Sequence, residues 1–188
     1  MVNIDVRFSE SKMQIIKNMI GKRLIKYMHD PFEFSTSVYG IVGICLEEEC
    51  IAITNLTEVR DYYGAEEDVA VLKIEQTDES EIHSFIEGES MIETPVNSLV
   101  EQIIIVNENQ SLFKDGVQIY DVNLTRGIIF VMEDGLQISF EKNIWFSEDI
   151  TIQRGYNLID TYSPESKFCE NWELPYVAKC KREIVVIA

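Results

Sequence analysis

The sequence predicts an α+β fold in which antiparallel sheet dominates and one N-terminal amphipathic helix packs on it. Three observations lead to this prediction. The first eight residues alternate between apolar and polar, a helical spacing follows them, and strand and turn signals recur through the second half. The 188 residues suffice for one core, and no linker or repeat divides them, so we expect a single domain over residues 1–188.

The N-terminal residues predict a strand and then a helix. Apolar and polar side chains alternate strictly over residues 2–8, as in a half-buried strand. Ser11 and Gln14 have the spacing of a capping box. Apolar residues then recur at helical spacing: Met13, Ile16, Ile20, Leu24 and Tyr27. Pro31 cannot continue a helix, so we expect the helix to end near His29.

Residues 35–57 predict a β-hairpin. β-Branched and small residues lie on either side of Glu47, Glu48 and Glu49, which would form an acidic tip. A strand from Val69 to Glu75 is expected after a turn at residues 62–64. Both predictions rest on local residue types alone.

The next part of the chain predicts a loop and then a β-meander. Residues 77–97 are polar, and we expect mostly loop there with one helical turn near Ile82. Ile103–Val106 is a short apolar run. Two hairpin turns follow at Asp115-Gly116 and Asp134-Gly135, because Gly accepts a positive φ at no steric cost.

The meander is expected to continue to the C-terminus. Short strands are predicted at residues 144–145 and 150–153, a short helix after Gly155, and a last strand at Glu183–Ile187 that is suited to closing a sheet. A meander of short antiparallel strands can curl into a partial barrel.

The negative charge is concentrated in one segment. Residues 46–101 contain sixteen Asp and Glu against Arg60 and Lys73, which is −14 of the chain's net −17. Clustered carboxylates repel one another within a Debye length of roughly 8 to 10 Å. Such a surface also repels phosphates, so we expect no nucleic-acid partner. The basic residues of the predicted helix could pair with this acidic side.

No pattern of residues predicts catalysis. The two histidines are His29, expected at the helix end near its dipole, and His83, expected in solvent. The chain has no Gly-x-Ser-x-Gly turn and no Gly-Lys-Ser/Thr loop. Neighbouring carboxylates fall in predicted turns, where we expect them to be solvated.

The cysteines do not predict a metal centre. Four residues separate Cys45 from Cys50, and ten separate Cys169 from Cys180, whereas the two ligands of a zinc-binding pair usually lie two to four residues apart on a tight turn. Only the first pair comes near that spacing, and it could face across the two strands of the predicted hairpin. We expect four free thiols that act as small buried hydrophobes, with no metal and no cofactor.

The strongest candidate for partner binding is the segment DYYGAEED. Tyrosine supplies contact area at low entropic cost, and carboxylates steer a basic partner towards the surface. The predicted partner-binding residues are Asp61, Tyr62, Tyr63, Glu66, Glu67 and Asp68. The alternative is an acidic surface loop whose tyrosines pack onto the domain.

The N-terminal residues do not resemble a signal peptide, and no run of eighteen apolar residues occurs, so we expect a cytosolic protein without membrane contact. The expected function is non-enzymatic binding of a basic protein partner, in the manner of an inhibitor or an immunity protein. One alternative is a small-molecule-binding or hydrolytic β-barrel-like protein with a pocket lined by aromatic residues. Another is a phage or plasmid accessory subunit that assembles through the strand at residues 183–187.

Overall fold

The computed structural model describes residues 1–143 and 146–188 and is built mostly of antiparallel strands. The strands are β1 (Val2–Val6), β2 (Arg23–His29), β3 (Ser37–Tyr39), β4 (Ile41–Leu46), β5 (Cys50–Tyr62), β6 (Ala65–Thr77), β7 (Ile92–Lys114), β8 (Val117–Met132), β9 (Gln137–Lys142), β10 (Asp149–Gly155) and β11 (Tyr176–Ile187). The helices are α1 (Glu10–Lys17), α2 (Ser166–Cys169) and two 3-10 turns, Glu79–Glu81 and Leu158–Thr161. None of these helices combines the length and apolar character that a bilayer-crossing helix needs.

The strands follow one open path, in the order β3-β10-β9-β8-β7-β2-β4-β5-β6. β1 adds to β8 in parallel, and β11 adds to β7. The path ends at β3 and β6, so the described strands form an open sheet and not a closed barrel. The predicted dominance of antiparallel sheet is confirmed.

Strand β7 divides the path into two sheets because it is 23 residues long and changes partner along its length. Residues 92–99 pair with β2, and residues 100–114 pair with β8. We call the strands β7 to β11, with β1 and β3, sheet 1. Sheet 2 consists of β2, β4, β5, β6 and the start of β7.

The two sheets share one hydrophobic core. Ile44 and Ile74 from sheet 2 belong to the same buried cluster as Ile103 and Phe140 from sheet 1. Buried Asn55 ties β5 to the start of β10, because its Nδ2 donates to the main-chain oxygens of Ser147 and Asp149, each at 3.0 Å. Apolar burial and a few buried polar links therefore hold the sheets together.

The predicted N-terminal helix is much shorter than its spacing suggests. α1 begins after Ser9 and ends at Lys17, and residues 23–29 form strand β2. A β-bulge between Leu24 and Lys26 shifts the register of β2, so Leu24 and Tyr27 both reach the core although three positions separate them. The bulge thus gives the core residues of β2 a spacing of three, which is also a helical spacing.

Because β2 replaces the end of the helix, His29 has a different environment from the one predicted. It is a buried strand residue, 2% exposed, and its ring stacks on Phe32 at 4.6 Å between centroids. Its Nδ1 lies 2.7 Å from the main-chain oxygen of Asp30. His83 is exposed, as predicted.

The hairpins with short turns form where the sequence predicts them. β4 and β5 form the predicted hairpin, and β6 follows the turn at residues 63–64 but begins four residues before Val69. The 3-10 turn at Glu79–Glu81 lies next to Ile82, as expected. β7 begins at Ile92, inside the predicted loop, where Thr94, Pro95 and Asn97 weaken the strand signal.

In the second half both Asp-Gly turns join strands, β7 to β8 and β8 to β9. The predicted strand at residues 144–145 lies outside the described residues. The predicted final strand is longer than expected, since β11 begins at Tyr176 and pairs with β7 over its whole length. Its terminal segment, proposed above as an assembly element, is thus already hydrogen-bonded to its own chain along one edge.

Candidate functional site

The predicted partner-binding segment forms the tip of the β5–β6 hairpin. Tyr63 and Gly64 are the two loop residues, and both have positive φ, 55° and 100°. Asp61 accepts hydrogen bonds from the Gly64 N–H at 2.8 Å and from the Tyr120 hydroxyl at 3.0 Å. Asp61 therefore closes the turn and anchors it to β8.

The two tyrosines of this segment pack onto the fold. The Tyr63 ring lies 5.1 Å from Tyr120 and 5.0 Å from Trp172, centroid to centroid, and 4.7 Å from Tyr62. Phe168 adds a further tilted contact to Tyr63 at 5.8 Å. Burial raises the pKa of both tyrosines, so their hydroxyls stay protonated at neutral pH. The rings thus fix the hairpin tip to β8 and to the segment around α2.

The other three predicted residues face solvent. Glu66, Glu67 and Asp68 are exposed at the start of β6, which is the end strand of the path. Arg60, which is paired across the strands with Glu67, forms its ion pair with Glu58 instead. Within residues 1–143 and 146–188, none of the three carboxylates forms an ion pair. The segment therefore separates into a packed aromatic part and an exposed acidic part.

A second acidic region lies at the other end of β6. An open cleft of about 650 Å³ separates the β4–β5 tip from the end of β6 and the 3-10 turn after it. Six carboxylates line it: Glu47, Glu48, Glu49, Asp78, Glu79 and Glu81. The sequence predicts that these carboxylates lie in separate solvated turns, whereas in the structure they line one cleft.

Basic residues from the N-terminal part offset some of this charge. Lys22 pairs with Glu49, and Lys26 Nζ lies 2.7 Å from Glu79 Oε1 and 2.9 Å from Glu93 Oε2. The two hydrogen bonds to these carboxylates raise the pKa of Lys26. Glu48, Asp78 and Glu81 have no ion-pair partner in the described part of the chain.

A cluster of sulfur atoms lies beside the acidic cleft. Cys45 and Cys50 are directly opposite each other on β4 and β5, and both are buried. Their two Sγ atoms and a carboxylate oxygen of Glu79 all lie within 4.8 Å of one another. The Met28 Sδ lies 3.8 Å from Cys45 Sγ. Burial raises the pKa of both thiols.

The close packing of residues 79–82 on sheet 2 brings Glu79 to the cysteines. Ile82 covers the outer face of β4 next to Gly43, where an added Cβ would lie only 2.8 Å from Ile82 Cγ2. Sequence reasoning noticed the two cysteines but missed Glu79, because their proximity depends on how a later segment folds back. The spacing of Cys45 and Cys50 was the single available signal.

A buried charge cluster has one member on each of β7, β8, β9 and β11. Arg126 Nη2 lies 2.8 Å from Glu141 Oε1, and Arg182 Nη2 lies 2.7 Å from Glu108 Oε1. These four side chains are fully or mostly buried, and burial raises the pKa of Glu141. Sequence reasoning missed this cluster, because its members lie on different strands and form no motif.

Lys142 is the unusual member of this region. It is 4% exposed, and its Nζ has a single long contact in the described residues, 3.4 Å to the main-chain oxygen of Asn143. Burial, and the positive charge of Arg126, lower its pKa to about 7. Lys142 and Arg126 line a cavity of about 40 Å³ that Tyr62 and Asp61 also border.

Comparison with known proteins identifies no relative of this chain. No protein-family model, no curated protein and no solved structure matches the chain.

Proposed function

We propose that this chain is a cytosolic binding protein that captures a basic protein partner, as an inhibitor or an immunity protein does. The observation that carries the proposal is the exposure of Glu66, Glu67 and Asp68 on the end strand β6, with no cation of the described chain paired to them. Carboxylates in this state attract a cationic surface without first having to release a partner of their own.

The position of these carboxylates on an end strand supports the proposal. Among the described strands β6 pairs only with β5, so its other edge has main-chain donors and acceptors that a partner strand could use. β6 has 13 residues and spans about 40 Å at about 3.3 Å per residue. Acidic groups lie at both of its ends, so an elongated basic partner could contact both.

The packed tyrosines support the proposal in a second way. Tyr62 and Tyr63 were predicted to contact the partner directly, but they fix the hairpin tip to the rest of the fold. A fixed tip loses little conformational entropy when a partner binds. We therefore assign the contact with the partner to the three carboxylates and the positioning of the tip to the tyrosines.

The test is a comparison of three forms of the full chain under low salt. The binding variant carries Glu66→Lys, Glu67→Lys and Asp68→Lys. The control carries Glu87→Lys, Glu89→Lys and Glu101→Lys, which change exposed residues and the net charge equally. Proteins retained from the source cell are identified by mass spectrometry, and each binding pair is then measured with purified components.

We expect one basic protein that binds the unchanged chain and the control but not the binding variant. Its affinity should fall steeply as salt rises, because the attraction is electrostatic. Recovery of no basic protein, or equal affinity of all three forms for it, would overturn the proposal.

The cavity beside Lys142 favours a second candidate function, the binding of a small oxyanion. A cavity of about 40 Å³ has room for about three water molecules, since one needs about 10 to 15 Å³, or for one small anion. An anion there would neutralise the buried Lys142 ammonium and accept hydrogen bonds from Arg126. This candidate corresponds to the small-molecule alternative that the sequence left open.

Thermal unfolding with and without inorganic phosphate, formate or nitrate tests this candidate. An anion that binds the folded chain should raise the midpoint of unfolding, and Lys142→Met should abolish that rise. Lys179→Met, on β11, serves as the control. An equal rise in the unchanged chain and in Lys142→Met would show that the anion acts elsewhere.

A further inference from the structure

We propose that Cys45, Cys50 and Glu79 form a binding site for a single Zn²⁺ ion, which enters from the acidic cleft. The site does not involve Glu66, Glu67 and Asp68, which carry the proposed function and lie at the other end of β6. It uses residue types that zinc prefers, thiolate sulfur and carboxylate oxygen.

The hairpin geometry brings the two sulfur atoms together. The Leu46 N–H donates to the Glu49 main-chain oxygen at 2.9 Å, which closes the tip, and Cys45 then lies directly opposite Cys50. Residues opposite each other in an antiparallel pair point to the same face of the sheet. Both thiols therefore reach the outer face of sheet 2, towards the segment that contains Glu79.

The distances are close to those of a coordinated ion. The three donor atoms lie within 4.8 Å of one another. Zinc bonds of about 2.3 Å to sulfur and about 2.0 Å to oxygen place tetrahedral ligands about 3.5 to 3.8 Å apart. Closing the remaining gap of about 1 Å requires rotation of side chains and no change of the sheet.

Lys26 holds the carboxylate in place for this role. Its Nζ contacts Glu79 Oε1 at 2.7 Å, and a carboxylate has a second oxygen that can bind the metal. Hydrogen bonds from neighbouring groups commonly orient metal ligands in this way. Two thiolates and one carboxylate give a charge of −3. Zn²⁺ compensates two units of it, and the Lys26 ammonium, which Glu79 shares with Glu93, offsets part of the third.

The cleft supplies the ion and the fourth ligand. Cys50 and Glu79 both line the cleft, along with five other carboxylates, which raise the local concentration of divalent cations. The fourth position can take a water molecule from this side. Magnesium and calcium prefer sites made only of oxygen, so the two thiolates select a softer ion.

The cysteines have to lose their protons when zinc binds. A cysteine binds zinc as the thiolate, so the metal ion displaces the thiol proton. We therefore expect zinc affinity to increase as pH rises from about 6 to about 8, with release of protons that calorimetry in two buffers can count.

Metal competition with a chromophoric zinc chelator tests the site on reduced full-length protein. We expect one zinc per chain for the unchanged protein. Cys45→Ser and Cys50→Ser should each weaken binding by about 100-fold or more, and Glu79→Gln by about 10-fold. The matched controls Cys169→Ser and Cys180→Ser change two thiols that lie outside the cluster and should bind zinc normally.

Cobalt provides a second measurement that reports the ligands directly. Co²⁺ bound in the site should show thiolate-to-metal absorption in the near ultraviolet, and this band should be absent when Cys45 and Cys50 are both replaced by serine. Because Glu79 is exposed, Glu79→Gln should leave the fold unchanged even if a cysteine variant unfolds. Circular dichroism without metal checks the fold of each variant.

Three results would overturn the proposal. The first is that the reduced protein binds less than one zinc per chain. The second is that Glu79→Gln keeps its zinc affinity and the cobalt spectrum lacks the thiolate band. The third is that Cys169→Ser or Cys180→Ser loses zinc. Stoichiometric binding of Cu⁺ without binding of Zn²⁺ would also contradict it, since Met28 offers a further soft donor to copper.

Discussion

At the scale of single residues, Lys142 shows what the sequence cannot predict. A lysine in a strand of mixed residues is expected to reach solvent, yet this one is 4% exposed. Arg126 lies on the neighbouring strand β8, but the cavity beside Lys142 is also lined by β1, β5, β6 and β7, which are distant from β9 in sequence. Glu79 was missed for the same reason, since it lies far along the chain from the two cysteines. The two cysteines of β4 and β5 could be noticed, because a hairpin is a local structure.

We predict that Lys142→Met stabilises the protein, by about 1 to 4 kcal/mol at neutral pH and below. Below pH 7 the amine is protonated in both the folded and the unfolded chain, and folding has to desolvate the full charge. Between about 7 and the usual pKa of 10.5, the folded form is neutral while the unfolded form remains charged, so this cost falls as pH rises.

The measurement is chemical unfolding of both proteins at several pH values. The difference in unfolding free energy should be largest at pH 7 and below and should shrink towards pH 10. Lys179→Met serves as the control, since this residue lies over the Phe113 ring and not in the cavity. A difference that is constant with pH would contradict the lowered pKa.

The second prediction at the scale of single residues concerns the effect of Gly127→Ala on stability. An added Cβ would lie 2.4 Å from the Tyr162 hydroxyl and 2.6 Å from the Phe140 main-chain oxygen. Backbone cannot move as a flexible side chain does, so we expect Gly127→Ala to destabilise the protein by about 2 to 4 kcal/mol. Gly155→Ala, whose nearest contact would be 3.4 Å, should cost much less in the same denaturant titration.

At the scale of elements, the sequence predicted the hairpins better than the helix. Asp-Gly pairs determine a two-residue turn by their own backbone preferences, so the β7–β8 connection was predictable from residues 115–116. The helix prediction failed after Lys17, because the bulge in β2 produces a helical spacing of core residues. A bulge depends on two neighbouring strands, and a single sequence does not reveal those neighbours.

Removing the aromatic ring at the β5–β6 tip should loosen that element. We expect Tyr63→Ala to cost about 3 kcal/mol, because the ring contacts Tyr120, Phe168 and Trp172. Hydrogen exchange at residues 60–68 should become faster, while distant strands keep their protection. Tyr156→Ala, at a residue that is 67% exposed, should change neither the stability nor the exchange by a measurable amount.

At the scale of the whole molecule, the strand and turn patterns correctly predict a mostly antiparallel sheet, and the composition gives a net charge of −17. Basic N-terminal residues pair with some of the carboxylates, as expected, in Lys12–Glu75, Lys22–Glu49 and Lys26–Glu79. The sequence does not predict that the carboxylates collect at the two ends of β6. Those placements follow from strand order, which one sequence leaves open. The exposed acidic residues remain close enough to repel one another.

We therefore expect salt to stabilise the chain. Raising sodium chloride from about 20 mM to about 500 mM should raise the unfolding midpoint by about 2 to 4 °C, the shift that about 1 kcal/mol causes in a domain of this size. The variant with Glu66→Lys, Glu67→Lys and Asp68→Lys should show a smaller rise. A midpoint that falls with salt would mean that ion pairs outweigh the repulsion.

Strand β7 contributes main-chain hydrogen bonds to β2, to β8 and to β11. Heat that detaches β7 from any one of them also exposes apolar residues that the other sheet covers. Neither half can then persist alone as a partly melted intermediate. Calorimetry and circular dichroism should consequently report one and the same cooperative transition.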